Sequence, residues 1–269
     1  MPTAARDARD AVQRLFRTHG PRIRALALRM CGRPADADDV VQDVFLQAYR
    51  KWSQFEGRSE PGTWLYTIAV RACRRHLRKR RTREARMPAL SAVSPFHDTT
   101  VAEIDPRARE PFTGAQARES VRALEAAILQ LPEAFRLAIT LKDVLEMETE
   151  DVAAVLGVRP QTVKTRVHRA RFTLRKTLMK RLPQSPAPDP IYERQVCLDL
   201  LRAKLAAMDR GRHAPIGRQV ACDRCRAVFA ELDLTQDVCR SLGDDTMPAP
   251  LRSRIERLLG DSGPAPSRR

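Results

Sequence analysis

Two cysteines late in the chain, Cys222 and Cys225 of "ACDRCR", have the spacing of a metal clip or a redox pair. Cys-x-x-Cys at the start of a helix brings two thiols together where the helix dipole favours thiolate. Two more cysteines flank the pair, in the order Cys197-x24-Cys222-x2-Cys225-x13-Cys239, and His213 lies in the intervening loop. Cys197, Cys222, Cys225 and Cys239, or His213 as the fourth ligand, are therefore the candidate metal ligands. Three chemistries fit: a closed structural zinc site stapling a small module, a reversible sensor of zinc, copper, cadmium or thiol oxidation, and packed thiols without a ligand. A catalytic dithiol does not fit, because no βαβ pattern surrounds the pair. No nucleophile–base constellation occurs elsewhere, so the chain reads as a non-enzyme. Cys73 and Cys31 follow apolar helical stripes and read as packed thiols.

The second chemistry is phosphate binding. The 269 residues carry a net charge of +16, unevenly spread. Residues 1–182 hold 35 Lys/Arg against 21 Asp/Glu, whereas residues 183–269 hold 14 against 12. A cationic first two thirds is the footprint of a polyanion partner. Nine Lys/Arg and no acid lie between Arg159 and Arg181, and nine Lys/Arg accompany only Glu84 between Arg71 and Arg86. Such density repels itself unless a polyanion offsets it.

Few glycines, 5 % aromatic residues and many Ala, Leu and Arg predict an all-α chain. No apolar run is long enough to span a membrane and no signal-peptide core opens the chain, which predicts a soluble cytoplasmic protein. Two breaker-rich segments, 86–114 with four prolines and 182–190 "LPQSPAPDP", read as linkers. They delimit modules at 8–85, 115–181 and 191–260, with 261–269 expected to be a disordered tail.

In the first module, "PADADDVVQDVFLQAYRKW" predicts a helix with Asp36 as N-cap and an apolar face of Val40, Val41, Val44, Phe45, Ala48 and Tyr49. Its other face shows Asp38, Asp39, Gln42, Asp43 and Gln47. Acid inside a basic module is not aimed at DNA; it is a solvated face or a dock for a basic protein. The following helix buries Trp64, Leu65, Ile68, Ala69, Ala72, Cys73 and Leu77 and exposes Arg71, Arg74, Arg75 and Arg78.

The second module predicts a helix-turn-helix. Thr149 caps a short helix ending at Leu156, Gly157-Val158 turns, and Pro160 opens a longer helix. Val163, Val167, Ala170, Leu174 and Leu178 form its buried stripe. Its polar side carries Arg159, Gln161, Thr162, Lys164, Thr165 and Arg166, suited to base edges and adjacent phosphates. Arg169 and Arg171 are expected to hold phosphates. His168 reads as a neutral surface imidazole or a phosphate contact.

"DADDVVQDVFLQAYRKW", "F-x-G" and "TWLYTIAVRACRRHLRKRR" together resemble region 2 of the sigma-70 family, in its small extracytoplasmic-function branch. "LQLPEAFRLAITL" and "AAVLGVRPQTVKTRVHRAR" resemble its region 4. The resemblance implies a helical region 2 domain, a linker and a region 4 helix-turn-helix. It implies that Asp38, Asp39, Gln42, Asp43 and Phe45 clamp the β′ coiled coil of core RNA polymerase. It implies that the segment Phe55–Arg78, with Arg71, Arg74, Arg75 and Arg78, opens and reads the promoter −10 element. It implies that Arg159, Gln161, Thr162, Lys164, Thr165, Arg166 and Arg169 serve the −35 element, beside a β-flap contact. The third module is similar to a zinc-binding anti-sigma domain, except that Arg218 stands where that pattern has histidine. It is similar in architecture to metal-responsive sigma factors with a cysteine-rich C-terminal extension. The implied function is a sigma factor controlled by its C-terminal module, with a separate anti-sigma factor left open. The rival reading is a metal- or redox-responsive helix-turn-helix regulator that binds operators without polymerase.

Overall fold

The computed structural model describes residues 2–79, 87–88, 93–104, 114–211, 220–243 and 246–261. Among them are ten α-helices and one two-stranded antiparallel sheet, in agreement with the all-α expectation. The chain divides into two compact units. The first holds Met1–Arg83, Ala153–Gly157 and Gly243–Arg269, the second Glu84–Val152 and Val158–Leu242.

In the first unit α1 (Pro2–Cys31), α2 (Pro34–Lys51) and α3 (Pro61–Lys79) pack on one another, and α10 (Ala249–Asp261) packs on α1 and α2. Helix α2 begins three residues earlier than expected. Its N-cap is Arg33, Pro34 opens the helix, and Asp36 sits in the first turn. Proline takes this position readily because its fixed φ is helical and the missing N–H would have no partner there. Gly32, at φ 76°, makes the turn from α1. Val40, Val41, Val44, Phe45 and Ala48 are buried as the apolar periodicity requires, as are Leu65, Ile68, Ala69, Ala72 and Cys73 of α3. Phe45 meets Phe16 edge to face, with ring centroids 4.9 Å apart.

The second unit holds α4 (Gly114–Gln130), α5 (Glu133–Ile139), a π-helical turn (Thr140–Val144), α7 (Pro160–Met179), α8 (Arg194–Asp209) and α9 (Asp223–Ser241). Helix α6 (Thr149–Leu156) spans the division. Helices α4, α5 and α9 all pack on α7, which is the central element of the unit.

Two expectations change here. The segments read as flexible linkers meet in a small sheet: β1 (Thr100–Ala102) pairs with β2 (Gln184–Pro186), Val101 opposite Ser185. The pairing is held from behind, because Val101 and Ala102 are buried and the Ala102 N–H donates to Glu231 Oε1 of α9 at 2.7 Å. The module expected at 191–260 is also not one body. Helices α8 and α9 belong with α7, whereas α10 belongs to the first unit. The reason lies in which apolar faces meet: Phe172 of α7 shares one buried cluster with Leu201 and Leu205 of α8 and Val228 and Phe229 of α9. Residues 80–86, 89–92, 105–113 and the tail 262–269 lie outside the described residues.

Since Phe45 is 1 % exposed and fills the first unit's core, Phe45→Ala should lower unfolding stability by about 3–5 kcal/mol. Chemical denaturation followed by circular dichroism measures this; a loss under about 1 kcal/mol would return Phe45 to the surface.

Candidate polymerase and promoter interfaces

The first unit displays two charged surfaces. On α2, Asp38 accepts from Arg24 Nε at 3.0 Å, Asp43 pairs with Arg75 of α3 at 2.5 Å, and Asp39 projects into solvent with 74 % of its side chain exposed. Gln42 is half-buried on the same helix. Phe45, grouped with these residues by sequence, cannot touch a partner because it is inside the core. On α3, Arg71, Arg74, Arg75 and Arg78 recur at the three- and four-residue spacing that aligns side chains on one helical face. Arg71, Arg75 and Arg78 are exposed and Arg74 is half-buried.

At the foot of that face stands a feature that spacing alone does not reveal. Trp52, Phe55 and Trp64 form a half-buried aromatic triad, with centroids 5.2–5.7 Å apart. A 3₁₀ turn over Trp52–Gln54 and the breakers after Phe55 fold the first two rings back onto the start of α3. Three aromatic rings beside a row of cations are what stacking and backbone neutralisation of single-stranded nucleic acid need.

In the second unit, α7 has two unlike halves. The first turns are open: Gln161 and Thr165 are exposed, Thr162, Lys164 and Arg166 are half-buried, and Arg159 is an exposed N-cap. Gly157 turns the chain ahead of α7 at φ 66°. Val163, Val167, Ala170, Leu174 and Leu178 are buried as the stripe predicts.

The C-terminal half corrects the sequence reading. Arg169 donates to the Pro88 carbonyl at 2.6 Å and lies 5.1 Å over the Phe135 ring, so its guanidinium is occupied within the protein. Arg171 does not face phosphates at all; it is 1 % exposed. Its Nε and Nη2 both donate to Asp143 at 2.7 Å, and its Nη1 donates to Asp209 of α8 at 2.8 Å. Gln236 of α9 adds a 3.3 Å bond to Asp143. One turn on, buried Arg175 pairs with Asp98 and with Glu231 of α9. His168, expected at the surface, lies 2.9 Å from Asp209. The C-terminal half of α7 is thus the seat of the α8–α9 pair.

Residues 15–83 match the family described as Sigma-70 region 2, and residues 121–174 match Sigma-70, region 4. The chain is 33 % identical to the RNA polymerase sigma-H factor of Pseudomonas aeruginosa, over 61 % of this chain and 84 % of that protein. It is 32 % identical to the ECF RNA polymerase sigma factor SigM of Mycobacterium tuberculosis, over 63 % of this chain and 78 % of that one. The chain belongs to the sigma-70 family, in its extracytoplasmic-function branch. It is also similar to the sigma factor RpoE of Bartonella quintana, solved with the anti-sigma factor NepR, at 28 % identity and a TM-score of 0.46 over 63 % of this chain and 96 % of that one. Its function is that of an RNA polymerase sigma factor, a transcription initiation factor that works with core polymerase and promoter DNA. Among the described residues no helix is long and apolar enough to cross a membrane.

Beyond the matched part of region 4, the sigma factor carries its thiols in the α8–α9 pair. Cys222 is the N-cap of α9, and Cys197 of α8, Cys222 and Cys225 are buried in one apolar cluster. Burial pushes the Cys225 thiol up, and so do its contacts with the Cys222 and Cys197 sulfurs. Burial acts the same way on Cys222, but N–H groups of Cys225 and Ile191 aimed at its sulfur override it and hold that thiol below the usual range. Cys225 thus stands between Cys222 and Cys197. Cys239 does not join them: it lies fourteen residues beyond Cys225 on the same helix, a rise of roughly 21 Å. The four-cysteine ligand set is excluded by that geometry, and Cys239 is a packed thiol. Arg218 and His213 lie outside the described residues. Among the described residues, no group of three or more His, Cys, Asp or Glu side chains is arranged to hold a metal ion.

The arginine network generates two predictions. Arg171→Ala leaves Asp143 buried without its cation, which should cost about 3–5 kcal/mol in denaturant unfolding, whereas Arg166→Ala should cost under about 0.5 kcal/mol. Asp209 gives the pH dependence. Burial raises its pKa, but the hydrogen bond from His168 and the charge of Arg171 prevail and hold the carboxyl below its ordinary value of 3.8. Its contribution to stability should thus be complete above about pH 4 and fade as pH falls through the lower folded value. Asp209→Asn should remove that part of the acid sensitivity in melting curves taken from neutral pH to pH 2.

Proposed function

We propose that the two exposed surfaces divide the work of initiation and that the cysteine-bearing helices control one of them. Asp38, Asp39, Gln42 and Asp43 of region 2 dock the β′ coiled coil of core polymerase. Arg71, Arg74, Arg75 and Arg78 hold the displaced strand of the −10 element, while the Trp52–Phe55–Trp64 triad stacks its unpaired bases. In region 4, Arg159, Gln161, Thr162, Lys164, Thr165 and Arg166 read the −35 element. The cleft of about 350 Å³ lined by Ala123, Ala127, Leu131, Pro132, Thr173 and Thr177 seats the β flap. The observation that carries this reading is the split of α7 into an open N-terminal half and a buried, ion-paired C-terminal half. Only one part of the helix is then offered to the major groove.

The thiols of Cys197, Cys222 and Cys225 are proposed as the donors for a soft metal ion, zinc or a sensed copper or cadmium. His213 is the remaining candidate for a fourth ligand, and an open fourth position would suit a sensor. Two features support the reading: the three cysteines share one buried cluster, and Cys222 is already biased toward the thiolate that a metal requires. Because Cys222 begins α9, which packs on α7, an ion there would stiffen the grip of α8 and α9 on region 4.

Run-off transcription with core polymerase tests the first proposal. Lys164→Ala and Arg166→Ala should each lower −35-dependent initiation about 5- to 100-fold and reduce the salt slope of promoter binding by about one; unchanged rates would remove them from the reading surface. Trp64→Ala should slow open-complex formation while leaving binding to duplex −35 DNA intact. For the thiols, metal content by mass spectrometry should fall in Cys222→Ser and Cys225→Ser and stay at the wild-type level in Cys239→Ser. Equal metal content in all three would end the ligand assignment.

A further inference from the structure

The last helix does not stay with the cysteine-bearing pair. Residues 249–261, "APLRSRIERLLGD", form α10 in the first unit, against α1 and α2. Met247 leads into the helix, and Met247, Leu251, Ile255 and Leu259 recur every four residues as one buried stripe. At Gly20 of α1, a Cβ would stand 3.0 Å from the Met247 terminal methyl, so the absence of a side chain there lets the segment come close. The polar side of α10 carries Arg252, Arg254 and Arg257 against Glu256. Arg254 reaches to 3.9 Å from Asp39, the most exposed carboxylate of the acidic α2 surface.

A basic amphipathic helix is therefore seated beside the acidic helix proposed above as the polymerase dock. We infer that α10 is a built-in cap of that surface, and that core polymerase and α10 compete for it. The inference rests on the reading of α2 as the polymerase dock. Competition follows from charge and connection. Arg254 already stands 3.9 Å from Asp39, so a basic partner helix that pairs with Asp39 competes with that cation. The cap is also part of the chain, six residues beyond Leu242. A tethered competitor acts at an effective concentration of the order of millimolar, so α10 does not need high affinity to hold the surface. The free sigma factor is then held in check by its own C-terminus, and the full chain binds polymerase more weakly than region 2 alone would allow.

The test uses the full chain and its Leu251→Ala/Ile255→Ala variant, which empties the α10 stripe without touching α2. Hydrogen exchange first establishes that α1–α3 keep their protection in the variant and that α10 has lost its own. The variant should then bind core polymerase about tenfold or more tightly than wild type and give correspondingly more run-off transcript at limiting polymerase. In the wild-type chain, saturating core polymerase should strip exchange protection from α10. If α10 amides stay protected in the polymerase-bound chain, or if the released variant binds no more tightly, α10 is a structural fourth helix and the cap is wrong. If neither chain binds core polymerase, the docking reading of α2 fails and carries the inference down with it.

Discussion

Arg171 is the residue on which the second unit turns. A guanidinium with 1 % exposure has given up its hydration, a loss of several kcal/mol that only close and well-aligned partners offset. Asp143 supplies a two-bond fork and Asp209 the third contact, while Gln236 completes Asp143. Asp143 reaches this position because the backbone widens into a π-helical turn at Thr140–Val144, placing Asp143 inward beside α7. Such turns are rare and recur where a helix must re-aim a side chain. Removing any one member would leave an ion or a polar group stranded in a dry interior. The four elements that supply them, the π-helical turn, α7, α8 and α9, therefore have one arrangement relative to each other.

That constraint divides α7 by function. The C-terminal half is fixed by Arg171 and Arg175 to helices that come later in the chain, while the N-terminal half keeps its polar side open. Region 4 and the cysteine-bearing helices are one packed body, in which a change at the start of α9 has a short physical path to the base of the recognition helix. The path runs through side chains in contact: Cys225 and Val228 share a buried cluster with Phe172, the neighbour of Arg171. Glu231 reinforces the same body from the other side, accepting from Ala102 of β1 as it pairs with Arg175.

The exposure of several candidate residues was legible from spacing because helical periodicity sets it. The buried stripe Val163–Leu178 and the open polar side carrying Gln161, Thr162, Lys164, Thr165 and Arg166 follow from helical geometry alone, and so do the cations aligned on α3. The misread residues share a different property. Arg169 and Arg171 have the same side chains as phosphate-binding arginines, and a count of charges along the chain cannot separate a solvated cation from one buried against an acid 28 or 38 residues away. Phe45 was placed in an interface by its neighbourhood in sequence, although its own position belongs to the apolar face of α2. The Trp52–Phe55–Trp64 triad was missed because its rings come from a 3₁₀ turn, a loop and a helix start, which share no period.

By itself, the sequence determined the helical class, the two sigma-70 regions, the family and the buried stripes of the helices that form them. These depend on 3.6-residue periodicity, caps and breakers, which act over a few neighbouring residues. Only the tertiary structure decided that the linkers pair as strands, that α8 and α9 join region 4, and that α10 joins region 2. It also decided that Cys239 lies far from Cys225, although thirteen intervening residues would let a loop bring them together. A continuous helix forbids that approach, and which segments are helices without interruption is settled by the long-range contacts that bury them.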